Sequence, residues 1–113
     1  MYIAGESTVA SCIINGGKYE SYSKYAVCVG NNIEGDGGNR EKAYVTINGG
    51  TFISQNTVSV IHIDYLLGNA FIYGGTFSNK KVELKDVLNK TLEDFIKESM
   101  TVVENADGTF TVQ

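Results

Sequence analysis

Apolar and polar positions alternate along three stretches of this chain, and each stretch runs into the same kind of corner. Cys12, Ile14 and Asn15-Gly16-Gly17 lead to Tyr19; Val45, Ile47 and Asn48-Gly49-Gly50 lead to Phe52; Ala70, Ile72 and Tyr73-Gly74-Gly75 lead to Phe77. Alternation with a period of two marks a strand with one buried face. It assigns Cys12, Val45 and Ala70 to one inward column and Ile14, Ile47 and Ile72 to the next. Ile13, Thr46 and Phe71 lie between them and face outward. Glycine pairs suit corners, where positive φ or a closely approaching backbone excludes a β-carbon. Tyr19, Phe52 and Phe77 make an aromatic column just past the corner. The copies are 33 and 25 residues apart. A strand-corner unit recurring at such spacing predicts a coiled, ladder-like fold in which each turn stacks on the one before.

A second strand is expected after each corner. Val27 and Val29 align with Val58 and Val60 when a two-residue gap is allowed, which sets Cys28 opposite Ser59 on the outer side. Ile61 and Ile63 extend the second copy, with His62 and Asp64 on the alternate face. The first copy is eight residues longer than the second. The excess falls between Gly30 and Lys42, in a loop that leaves the stack at small entropic cost.

After Phe77 the period changes. Leu84, Val87, Leu88, Leu92, Phe95 and Ile96 recur at three and four residues among charged neighbours, which predicts an amphipathic helix or two short ones. Thr91 to Asp94 has the form of a helix-start capping pair. Thr101–Glu104 and Thr109–Val112 flank Asn105-Ala106-Asp107-Gly108 and read as a hairpin. The expected fold is therefore all-β with a small helical cap: a short parallel β-solenoid of about three turns over residues 1–82, closed by a helix-plus-hairpin cap over 83–113 in the same domain. A cap answers a physical need, because the last turn of a strand stack leaves unpaired backbone groups. Residues 1–11 hold only a partial turn (Tyr2, Ile3, Val9) and no evident cap. The expectation is that a partner covers that end or that the chain is the C-terminal piece of something longer.

At 113 residues and net charge −4, with its few basic residues scattered, the chain lacks the basic patch of a nucleic-acid binder. It has no apolar run long enough for a membrane span and no signal peptide within these residues. Cys12 and Cys28 read as a small buried thiol and a surface thiol in preference to a disulfide, and they are no metal site with one histidine elsewhere. Glu34, Asp36 and Asn39 offer oxygen ligands of the kind Ca²⁺ takes, but three side chains without a repeated motif read as a plain loop. That Gly-rich loop also lacks the context of a phosphate loop. His62 beside Asp64 could be a base with its orienting acid, yet no nucleophile accompanies them and surface polarity accounts for both. Asn89-Lys90-Thr91 matches a glycosylation acceptor only by accident of sequence. No catalytic, cofactor or metal residues are assigned, and no enzyme is expected. The outward aromatics remain: Phe71, Tyr73, Tyr44 and Tyr65 are the candidate contacts with a partner or a glycan.

Tyr25-Ala26-Val27, the run Val45–Phe52, Gly74-Gly75-Thr76-Phe77-Ser78 and the closing run Val102–Val112 together resemble a known repeat family. It is the right-handed parallel β-helix (GGTF-type) repeat of Firmicutes cell-surface proteins and their prophages. The resemblance covers about residues 12–113, and departs from the family in the 30–43 loop and in Tyr73 where Asn is usual. It implies a capped parallel β-helix in a virion, extracellular or cell-surface setting, and brings no catalytic residues. The function expected is a non-enzymatic structural or attachment module of a phage virion (fibre or decoration type) or bacterial surface, self-associating as a homotrimer or joined to a capsid, fibre or cell-surface parent. A carbohydrate-binding β-helix module is the alternative. A remnant of a polysaccharide-degrading enzyme ranks last, because no pair of outward carboxylates lies on adjacent turns.

Overall fold

The computed structural model describes residues 1–3, 10–22, 24–29, 43–55, 58–63, 70–84 and 90–113. The described residues are mostly β, forming thirteen short strands in three separate sheets. The first sheet joins β2 (Ala10–Ile14), β5 (Ala43–Ile47) and β8 (Ala70–Ile72), all parallel. The second joins β3 (Lys18–Glu20), β6 (Thr51–Ile53) and β9 (Thr76–Phe77) in parallel, then adds β13 (Phe110–Val112) and β12 (Val102–Glu104) antiparallel. The third joins β1 (Tyr2–Ile3), β4 (Val27–Val29), β7 (Ile61–Ile63) and β10 (Lys81–Leu84) in parallel, with β11 (Lys90–Thr91) antiparallel at its edge. Two sheets are thus mixed, where the sequence suggested one uniform parallel stack.

The register of the first sheet matches the sequence columns. Cys12, Val45 and Ala70 are in line, and so are Ile14, Ile47 and Ile72. Ile14, Val45, Ile47, Ala70 and Ile72 are buried, Cys12 half so. Each fully buried Ile, Val or Phe contributes about 1.5–3 kcal/mol by leaving water. Tyr19, Phe52 and Phe77 stack in the second sheet, with ring centroids 5.2 and 5.0 Å apart. The glycine pairs divide two tasks. Gly50 holds φ +114°, which a β-carbon disfavours. A β-carbon at Gly49 would sit 2.7 Å from the Asn15 carbonyl oxygen, and one at Gly74 would overlap that of Asn48. The first glycine therefore lets successive backbones touch.

The second-strand alignment needs correction. Val27 and Val29 pair with Ile61 and Ile63, not with Val58 and Val60, so Cys28 faces His62 and not Ser59. Ser59 is buried. The run from Val58 to Ile63 offers two alternations of opposite parity. Val58 is consumed in a turn, its N–H donating to the Gln55 carbonyl at 2.8 Å, and strand pairing starts only at Ile61.

Among the described residues the amphipathic helix is not seen: Leu84 lies in β10, and residues 90–96 hold no helix beyond a 3-10 turn. Val82 and Leu84 alternate with Lys81 and Glu83 as β10, in register with Ile61 and Ile63. A waiting strand edge with buried partners outweighs helical spacing, since propensity yields to tertiary pairing. Thr91 and Asp94 do make the expected contact, Thr91 N–H donating to Asp94 Oδ2 at 3.0 Å, but they start only a 3-10 turn over Leu92–Asp94. Phe95 and Leu92 are buried, and Ile96 bridges to Ile72. Val87, Leu88 and Asn89 lie outside the described residues, as do the loop with Glu34, Asp36 and Asn39, and Val9.

The hairpin does form, Asn105 N–H donating to the Thr109 carbonyl at 2.7 Å with Gly108 at φ +87°. Residues after Leu84 add to one edge of each sheet: β11 beside β10, Phe95–Ile96 beside β8, and β13 then β12 beside β9.

Candidate functional site

The outer face of the first sheet carries the aromatic candidates. The inward positions of β2, β5 and β8 force Ile13, Thr46 and Phe71 outward in one register row. Ile13 is 67 % exposed, Phe71 39 % and Tyr73 42 %. Phe71 and Tyr73 border an open cleft of about 530 Å³, whose other wall is Phe95, Ile96 and Lys97. The Ile72 N–H donates to the Phe95 carbonyl at 3.1 Å and fixes that wall against β8. Tyr44 stands half-buried on β5 across from Ser11, one alternation away from Thr46, and does not line the cleft. Tyr65 lies outside the described residues. The sequence thus named two cleft residues, Phe71 and Tyr73. It missed Phe95, Ile96 and Lys97, which it had placed on a helix.

The outer face of the third sheet is different. Cys28, His62 and Glu83 occupy one register row across β4, β7 and β10. His62 Nδ1 is sealed from solvent and lies 3.8 Å from Glu83 Oε1. The Tyr25 ring stacks on the imidazole at 4.6 Å. Its phenol is pushed up to about 12, first by burial, then by a hydrogen bond to Glu83 and the charge of that carboxylate, with a smaller contribution from Cys28. Tyr25 therefore stays a neutral donor at physiological pH. Asp64, the acid proposed for His62 from sequence, lies outside the described residues; the acid beside His62 here is Glu83. Both cysteines are thiols and both are half-buried, so neither fully meets the expected division into a buried and a surface thiol.

Among the described residues, no group of three or more His, Cys, Asp or Glu is arranged to hold a metal ion, and no helix is long and apolar enough to cross a membrane. Comparison with protein-family models, curated proteins and solved structures found no match.

Proposed function

We propose that this chain is a non-enzymatic structural or attachment module of a phage virion or bacterial cell surface, self-associating through the outer face of its first sheet. The observation that carries the reading is the pair of large apolar side chains facing outward there, Ile13 67 % and Phe71 39 % exposed on the two outer strands of the sheet, with Thr46 between them in the same row. Large apolar groups in line on one wall are what a subunit contact buries. In this reading the three sheets are walls of one short right-handed solenoid. Support comes from the chain order: β2-β3-β4, β5-β6-β7 and β8-β9-β10 each visit the sheets in the same sequence. Residues after Leu84 then act as its cap, because each sheet ends on them. The surface setting rests on the GGTF-type motifs.

Light scattering tests the self-association. The expected result is a homotrimer that Phe71→Ser and Ile13→Ser together convert to monomer with circular dichroism unchanged. A chain that stays monomeric at high concentration would remove the reading.

The cleft favours a second reading, a carbohydrate-binding module. Phe71 and Tyr73 offer ring faces, and Lys97 is a hydrogen-bond donor at the same rim. A glycan-array signal lost on Tyr73→Ala would support this reading over the first.

A further inference from the structure

Three neighbouring strands of the third sheet bring a thiol, an imidazole and a carboxylate into one outward row. Parallel strands lie about 4.8 Å apart, so side chains in register stand within contact distance of one another. Cys28 is half-buried on β4, His62 follows it on β7 and Glu83 on β10. The order is nucleophile, base, acid. A base held next to a thiol and oriented by a third group is the arrangement that activates a weak nucleophile. His62 is flanked on two sides: Glu83 Oε1 is 3.8 Å from its Nδ1, and the Tyr25 ring lies on its face. Tyr25 also lies close to Glu83; burial first, and then that carboxylate, raise its phenol pKa. Among the described residues, Tyr25 lies against the row, and Tyr2 takes the register position on the far side of Cys28. Cys12 shares none of this. Its register partner is Val45, and it packs against the apolar core.

We propose that Cys28 is a reactive thiol that forms mixed disulfides with low-molecular-weight disulfides, with His62 taking its proton and Glu83 holding the imidazole. The Cys28 sulfur attacks one sulfur of the small disulfide, whose S–S bond breaks. One half stays bonded to Cys28. The other leaves as a thiolate and receives the proton parked on His62. Cys28 is oxidised, the departing half is reduced, and no other oxidant takes part. Self-association through the first sheet has no bearing on this site.

The test is the rate of reaction with dithiodipyridine, which releases a coloured thiopyridone. At pH 7 the Cys12→Ser chain, which keeps Cys28, reacts at least about tenfold faster than the Cys28→Ser chain, which keeps Cys12. Adding His62→Gln to the Cys12→Ser chain slows it about tenfold, with circular dichroism unchanged. Equal rates for the two thiols, or no effect of His62→Gln in a folded protein, would overturn the proposal. Should His62→Gln fail to fold, the pH profile of the Cys12→Ser chain decides. An ordinary thiol, with a pKa of about 8.5, loses rate about tenfold per pH unit below pH 8. A shallower profile supports the assisted thiol, and the ordinary slope down to pH 5 refutes it.

Discussion

Among the described residues each copy has two corners, and they are built from different materials. Between the first and second sheets the turn is backbone alone. A glycine pair lets successive carbonyls touch, and the ring two residues later closes over the second glycine, Phe52 lying 3.2 Å from where a Gly50 β-carbon would stand. Between the second and third sheets the turn is held by side chains. Ser54 Oγ donates to the Val58 carbonyl at 2.6 Å, and Asn79 Nδ2 donates to the same carbonyl at 2.8 Å and to Ser54 Oγ at 3.1 Å. Asn79 Oδ1 accepts from Val60 N–H at 3.1 Å and Lys81 N–H at 3.0 Å. The difference teaches where a repeat can vary. A backbone corner admits one solution and recurs at fixed spacing. A side-chain corner admits any loop whose polar groups find partners, so its length drifts.

The largest expected effect lies at the backbone corner. Phe52 is fully buried between Tyr19 and Phe77. Phe52→Ala leaves a cavity and breaks both stacked pairs, lowering stability by about 3–5 kcal/mol in urea unfolding. A loss below that of an exposed substitution would show that the ring column does not support the corner.

The glycines give a finer test, because each pair member has a different reason. Gly74→Ala forces a β-carbon into the Asn48 carbonyl and is expected to cost about 1–3 kcal/mol. Gly16 occupies the same place in the first copy, yet an added β-carbon there meets nothing within 4 Å. Gly16→Ala should therefore be nearly silent. Equal effects at the two positions would mean that conformation, not backbone contact, explains the first glycine of each pair.

The same contrast accounts for what could be read from sequence. The columns through Ile14, Ile47 and Ile72 were legible because the glycine corner fixes them at constant offset within each copy. The Asn105–Gly108 hairpin was legible because its turn chemistry is local. The alignment of Val27 and Val29 failed because ring-to-strand spacing drifts: eight residues from Tyr19 to Val27, nine from Phe52 to Ile61, five from Phe77 to Val82. Every outer-face neighbour on the third sheet inherits that drift. Cys28, His62 and Glu83 are 34 and 21 residues apart, so no periodicity announces their row. The helix reading that began at Leu84 missed β10 for a related reason. Leu84 opens a three-and-four spacing but also stands two residues from Val82, the spacing of a strand, and the open edge of β7 was not visible in the sequence.

The side-chain corner supplies the sharpest contrast. Asn79→Ala removes two donors and one shared acceptor from a half-buried site, which should cost about 1–3 kcal/mol. Asn79→Asp separates the two halves of that role. It keeps an oxygen for Val60 and Lys81 N–H but turns a second oxygen toward the Val58 carbonyl, which only accepts. At neutral pH the carboxylate is repelled there, so this variant should be no more stable than Asn79→Ala. Repulsion favours the protonated acid in the folded state and raises its folded pKa above the unfolded value. Stability is then regained as pH falls through the folded pKa toward the unfolded one, where the protonated acid can donate to Val58 again. Unfolding midpoints of Asn79→Asp and Asn79→Ala measured from pH 7 to pH 4 should therefore diverge in acid, with the aspartate variant gaining. Parallel curves would show that the Asn79 amide is not the donor that closes the second corner, leaving that role to the Ser54 hydroxyl.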